Sequence, residues 1–408
     1  MPTAITATIR QAISGFCCRL RRASRKSCHN TKNGSQRPVR FVWQLLDHCH
    51  KIPARPATVT FADLTCDSHS LKSKKVWDRS RAIMPSRTLR CLVWALLLHF
   101  VPVHEADAES QPQIASDLAS RIESTPTLPF RAQYLAARAT APNFASGMVS
   151  SVAVGRDGLI YEFQRGDKAN PILVLDTVGR LVRSWGMGNY TLPHSIRLDS
   201  AGNIWTVDAS SSVAIKYSPT GRKLLTIHIG GQPKTDGPFS GATDIAEAPN
   251  GHLFVTDGYG NARVIEYSAT GQRLKQWGTS GRDPGEFYLP HGIQISSDQI
   301  IYVADRENGR IEEFDLNGKY LGEIPNLGRV YSLKLDGNFL WAGTQLLEQN
   351  PGAPGWIIKL DRRSGEILGH LDVTEPFGLH SIDLTPAGEP VTSLGNQILL
   401  FRHIGSAL

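Results

Sequence analysis

From about residue 145 the chain alternates short apolar runs with Gly-containing turns, and no helical period competes with that pattern. Six runs stand out: GLIYEF (158–163), GNIWTVD (202–208), GHLFVTD (251–257), QIIYVAD (299–305), NFLWAG (338–343) and GEPVTS (388–393). Between them lie segments such as VAIKYSPTGRKLL and RIEEFDLNGKYLGEI, where apolar residues alternate, meet an x-x-G turn and resume, as outer hairpins do. The unit recurs about every 48 residues. Six units of four short strands predict an all-β, six-bladed β-propeller over 145–408, in which radial repetition removes long exposed sheet edges.

Laying the units in register turns this period into a chemical prediction. The first position of each innermost strand reads Ser150, His194, Thr243, His291, Tyr331 (or Val330, because that unit is shorter) and His380. Histidine therefore occupies every second unit, at spacings of 97 and 89 residues. In a closed ring of six, alternate units deliver side chains to the axis about 120° apart. Three neutral imidazoles converging with coordination positions to spare suit a catalytic Zn²⁺. A single histidine at a strand start is ordinarily a satisfied polar core residue; three at equivalent alternate positions are hard to produce by accident. His228, His252, His370 and His403 lack the register and read as surface or turn residues.

Composition matters by position. The net charge of +7 is concentrated in residues 1–108, which hold 18 Lys and Arg against 6 Asp and Glu; the remainder has 26 against 31. A nucleic-acid partner is not expected. All six cysteines precede residue 92, so the propeller has no disulfide. From Met84, two arginines, the run CLVWALLLHFVPV and Ala106-Asp107-Ala108 read as a secretory signal over 84–108. The apolar run is too short for a free membrane span of ~20 residues, so no stable membrane anchor is expected and the chain is read as exported to the periplasm or exterior. Residues 1–83 lack periodicity and read as a disordered, non-native upstream extension, and 109–144 as a leader segment with one helix near 113–123.

Two more motifs carry detail. Asp257, Asn261 and Arg263 in DGYGNAR, and Asp305, Asn308 and Arg310 in DRENGR, repeat an Asp…Asn-x-Arg pattern that resembles the NHL family of propellers, where such pairs tie strands together. Tyr259 follows a central strand at the mouth of the channel, Arg306 holds the comparable place one unit on, and Arg165 lies in the turn FQRGD of the first unit. A dication and guanidiniums favour phenolate, so the Tyr259 pKa is expected to fall, making it a candidate general base; the arginines suit a carboxylate.

The runs TDIAEAPNGHLFVTDGYGNARVIEYS, PGEFYLPHGI and VADRENGRIEEFD resemble the peptidyl-α-hydroxyglycine α-amidating lyase domain, over about residues 145–403. That resemblance implies zinc on His194, His291 and His380, Tyr259 as the catalytic tyrosine, and Arg165 and Arg306 as active-site arginines. The implied reaction cleaves the C–N bond of a C-terminal α-hydroxyglycine in a peptide or small-molecule substrate. It also implies a structural calcium on the backbone carbonyls of Val152 and Ile196 and an Asp after the third histidine. Here that residue is Ser381, and a neutral hydroxyl is a poor ligand for a hard cation, so Ca²⁺ is doubtful. A disulfide of animal members aligns with Ser240 and Gly260, both lost, and the copper-dependent domain that makes the substrate is not expected here, because no second region offers the His and Met ligands it would need. The alternatives are a non-catalytic NHL propeller binding peptide, protein or glycan, and a related propeller lyase acting on another α-hydroxy-amide. A monomer is the expectation for a propeller of this size.

Overall fold

The computed structural model of the chain describes residues 117–140, 143–231 and 237–405. These fall within one compact unit, Leu97–Leu408. The upstream extension and the secretory signal lie outside the described residues.

The described residues form six four-stranded antiparallel sheets. Their innermost strands are Val149–Val154, Pro193–Leu198, Asp244–Glu247, Pro290–Ile295, Arg329–Asp336 and Ile382–Leu384, each touching the next, and the last touching the first. This is the six-bladed β-propeller expected from the repeat. The second strands follow the apolar runs closely, for example Ile204–Asp208, Leu253–Asp257 and Ile301–Asp305, and all three are buried along their whole length. Continuous burial explains why these runs read as unbroken apolar stretches: each lies between two neighbouring sheets and has no solvent face. Trp205, Val207 and Ala214 of the second sheet pack on Ile245, Val255 and Ile265 of the third, and the other sheets pair likewise. Gly202 and Gly251 close equivalent inner hairpins at φ 78° and 82°, a region that favours glycine; Gln299 takes the same role at φ 68°.

The sixth sheet corrects the expected boundary. Phe130–Leu135, read as part of a leader, is its outermost strand and pairs antiparallel with Gln397–His403, from Phe130↔His403 to Leu135↔Ile398. The physical reason is closure: the last unit supplies only three strands, and a fourth taken from the chain's other end joins the ring by backbone hydrogen bonds. Ahead of it, residues 117–123 form the expected helix, which buries Leu118 and Ile122 between the fourth and fifth sheets. His370, expected at the surface, is buried in the outer strand of the fifth sheet, where Thr125 Oγ1 lies 3.2 Å from its Nδ1.

The Asp…Asn-x-Arg motifs are ties within and between hairpins. Arg263 Nε donates to Asp257 at 2.8 Å, and Arg310 Nε donates to Asp305 at 2.9 Å. Arg310 also donates to the carbonyls of Asp283 and Glu286, fixing the loop that leads to His291.

A chain starting at residue 137 removes the closing strand and the helix. It is expected to melt about 5 °C or more below a chain starting at 117, because the ring is opened and apolar surface exposed. Equal melting midpoints by circular dichroism would show that the closure contributes nothing.

Candidate metal centre

In four of the six inner strands the residue in register with the histidines sits at a break in strand pairing: Ser150, His194, His291 and Tyr331. Such a bulge turns a side chain out of the sheet's alternation, here toward the axis. The loops before the histidines are pinned by aspartates at the ends of second strands. Asp208 accepts from the N–H groups of Thr191 and Leu192, at 2.7 and 2.6 Å, three and two residues ahead of His194. Asp305 accepts from Tyr288 N–H at 2.7 Å, three residues ahead of His291. His380 lies in the bend before its inner strand.

The alternation expected from register is realised in three dimensions. The ring centroids of His194, His291 and His380 are 4.7, 4.9 and 5.0 Å apart, and one ligand atom from each lies within 4.8 Å of the others. The intervening sheets have a matching role. His194 Nδ1 donates to Thr243 O at 2.6 Å, His291 Nδ1 to Tyr331 O at 2.6 Å and His380 Nδ1 to Ser150 O at 2.8 Å. A carbonyl can only accept, so each Nδ1 carries the proton and each Nε2 presents a lone pair. Burial, reinforced by neighbouring imidazoles and guanidiniums, holds His194 and His291 well below the usual imidazole range. His380 is pushed down to about 3, first by burial and then by Arg165. Three neutral imidazoles with oriented Nε2 atoms form a donor set that can hold a metal ion.

Tyr259 stands over this triangle, its hydroxyl 3.0 Å from His194 Nε2 and 3.2 Å from His291 Nε2. The preceding residue must be glycine, because a Cβ on Gly258 would come within 2.0 Å of Pro290 O. Arg306 starts a 3-10 turn, Arg306–Asn308, and its guanidinium lies 6.0 Å from the Tyr259 ring centroid and 5.1 Å from that of Tyr331. Arg165 donates from Nε to Pro193 O at 2.8 Å, which puts it beside His194. Burial pulls the Arg165 pKa down, opposed by Tyr259 and Asp208.

The phenol does not behave as expected from charge alone. Burial raises the Tyr259 pKa, and the Arg306 and Arg165 guanidiniums only partly oppose it. Desolvation of a phenolate costs more here than two cations return; the expected fall requires a further positive charge.

Sequence reasoning missed two residues at the site. Glu307 accepts from Arg306 Nε at 2.8 Å and pairs with Arg329 at 2.9 Å, so it holds Arg306 from behind. Phe239 lies with its ring 4.8 Å from that of Tyr259. Glu307 was visible inside DRENGR as a carboxylate beside an active-site arginine; nothing marked Phe239.

The positions assigned to calcium are joined by direct hydrogen bonds. Ser381 Oγ accepts from Val152 N–H at 2.9 Å and lies 3.1 Å from Ser151 Oγ, which accepts from Ile196 N–H at 3.2 Å. Val152 O is 3.3 Å from the Ser381 hydroxyl. Hydroxyls thus bridge these strands without the carboxylate that a hard dication would need.

A six-bladed propeller with an axial three-histidine centre is the class that fold and site define. The family model described as "6-bladed beta-propeller" matches residues 239–341. The chain is similar to the "Peptidyl-glycine alpha-amidating monooxygenase" of Mus musculus, 30% identical over 57% of this chain and 27% of that protein. It is 32% identical to the "Peptidyl-alpha-hydroxyglycine alpha-amidating lyase 2" of Drosophila melanogaster, over 50% of this chain and 52% of that protein. It is also 32% identical to the "NHL repeat-containing protein 3" of Homo sapiens, over 45% and 57% of the two chains. The resemblance carried by the motifs is borne out. The chain spans about a quarter of the mouse relative and about half of the fly one. No helix among the described residues is long and apolar enough to cross a membrane.

Purified protein is expected to carry one transition-metal ion per chain by elemental analysis, lost when His194 and His291 are both changed to Ala. A calcium chelator is expected to leave its melting midpoint unchanged. A metal-free native protein would remove the metal centre, and a large chelator-induced drop would restore calcium.

Proposed function

We propose that the chain is a zinc-dependent carbon-nitrogen lyase that cleaves a peptidyl-α-hydroxyglycine to a peptide amide and glyoxylate. The observation that carries this reading is the Tyr259 hydroxyl, within 3.2 Å of Nε2 on two of three converging neutral imidazoles, with Arg306 and Arg165 on its flanks. The names of the mouse and fly relatives support it.

His194, His291 and His380 would hold the zinc, which supplies Lewis acidity toward a substrate oxygen and favours the phenolate of Tyr259. The substrate carbon bears a hydroxyl, a carboxylate and an amide nitrogen. Arg165 and Arg306 bind the carboxylate and stabilise negative charge as it develops. Tyr259, as phenolate, takes the hydroxyl proton. The pair left on oxygen then closes to a carbonyl while the C–N pair departs with nitrogen, which recovers a proton to become a primary amide. Electrons and atoms balance within the substrate, so neither water nor an oxidant is consumed.

Export directed by the segment from Met84 and action on a peptide or small molecule outside the cytoplasm belong to the same proposal. A second reading, a non-catalytic NHL propeller, is favoured by the similarity to the human NHL repeat-containing protein. A lyase acting on another α-hydroxy-amide would use the same site.

Incubation with a peptidyl-α-hydroxyglycine is expected to release glyoxylate above the uncatalysed background, measured colorimetrically. Tyr259→Phe is expected to lower kcat by ~100-fold or more while metal content is retained. Background-level glyoxylate from the metal-loaded protein would defeat the substrate assignment and leave the fold untouched.

A further inference from the structure

The polar groups of the site have an apolar border that the proposed chemistry does not use. Phe239 is 40% exposed and Met148 37%. A solitary exposed apolar side chain needs no explanation, yet these two flank the same guanidinium. The Arg165 Cζ lies 5.7 Å from the Phe239 ring centroid, and its Nη1 lies 3.9 Å from Met148 Sδ. The Phe239 ring also meets the Tyr259 ring, with centroids 4.8 Å apart and planes tilted by 53°. One exposed phenylalanine therefore bridges the proposed base and a proposed carboxylate-binding group.

A second exposed aromatic is less direct. Phe377 is 48% exposed and covers Gly352, where a Cβ would lie 2.3 Å from its ring. Gly352 N–H donates to the Tyr331 hydroxyl at 3.0 Å, and Tyr331 in turn faces Arg306. Phe377 is thus separated from the reacting groups by Tyr331, whereas Phe239 touches them.

The substrate's geometry supplies the rest. His194 and His291 are buried, so the hydroxyl and carboxylate point down toward the imidazoles and guanidiniums. The amide nitrogen and the group it carries must then face outward, across the border beside Arg165 and Tyr259. We propose that Phe239, with Met148, forms the subsite for that group and selects substrates in which the residue or acyl group before the hydroxyglycine is apolar. This rests on the lyase reading of the same site. An aromatic face and a thioether offer dispersion and apolar burial, and no hydrogen-bonding demand, to what binds there.

The test compares N-benzoyl-α-hydroxyglycine with N-acetyl-α-hydroxyglycine by glyoxylate release, and the unreactive N-benzoylglycine with N-acetylglycine by calorimetry. The wild-type protein is expected to prefer the benzoyl compound by ~10-fold or more in kcat/KM, a size typical of apolar pockets. In Phe239→Ser the ratio is expected to fall toward one, with the loss on KM for the benzoyl substrate, and Phe239→Leu is expected to restore much of it. An equal fall in kcat for both substrates would make Phe239 a prop for Tyr259 and overturn the proposal, as would a wild-type protein without preference. If no glyoxylate appears from either substrate, the lyase reading fails alone. The calorimetric pair then decides the subsite: a benzoyl preference lost in Phe239→Ser supports it, and equal affinities overturn it.

Discussion

Each axial histidine is anchored to a sheet other than its own. The Nδ1–H of His194, His291 and His380 is given to the carbonyl of Thr243, Tyr331 and Ser150, in every case the residue at the same register position one blade on. These three hydrogen bonds set the tautomer, aim the Nε2 atoms at one point and link alternate pairs of sheets at the centre of the ring. The His380–Ser150 bond crosses the junction between the last sheet and the first, so it exists only because the ring is closed, and Phe130–Leu135 completes the sixth sheet on the far side of that junction. The geometry of the centre and the integrity of the propeller are one constraint.

Around that centre, burial and charge act in opposite directions. Desolvation keeps the imidazoles neutral, which a metal ligand needs, but the same desolvation holds the Tyr259 phenol in its protonated form against two guanidiniums. The chain's own groups therefore prepare the ligands fully and the base only partly. Glu307 and Arg329 show how much structure stands behind one of the cations: the carboxylate fixes Arg306, and Arg329 fixes the carboxylate while donating to the carbonyls of Leu347 and Gln349.

Beside the histidines, neighbouring inner strands are joined by side-chain hydroxyls. Ser381 and Ser151 tie the strands of Val152 and Ile196 together directly, so the strands that carry Ser150 and His194 are coupled through hydroxyls to the segment that follows His380. A hydroxyl both donates and accepts, which lets it bridge an N–H and a carbonyl; a carboxylate at the same place would repel that carbonyl unless a cation intervened.

Much of this was legible in the sequence, for reasons that are local or periodic. Six apolar runs bounded by turn glycines determined the strands and their number, because a buried second strand must be apolar on both faces. The alternation of His194, His291 and His380 with Ser150, Thr243 and Tyr331 determined that an axial triad would form, because a repeat carries register without knowledge of the fold. Tertiary structure alone decided that Phe130–Leu135 belongs to the ring, that His370 is buried and that Phe239 meets both Tyr259 and Arg165. Those contacts join segments outside the repeat register, and no periodic signal records them. Only packing brings them within reach, and only packing fixes how far burial outweighs charge at the Tyr259 phenol.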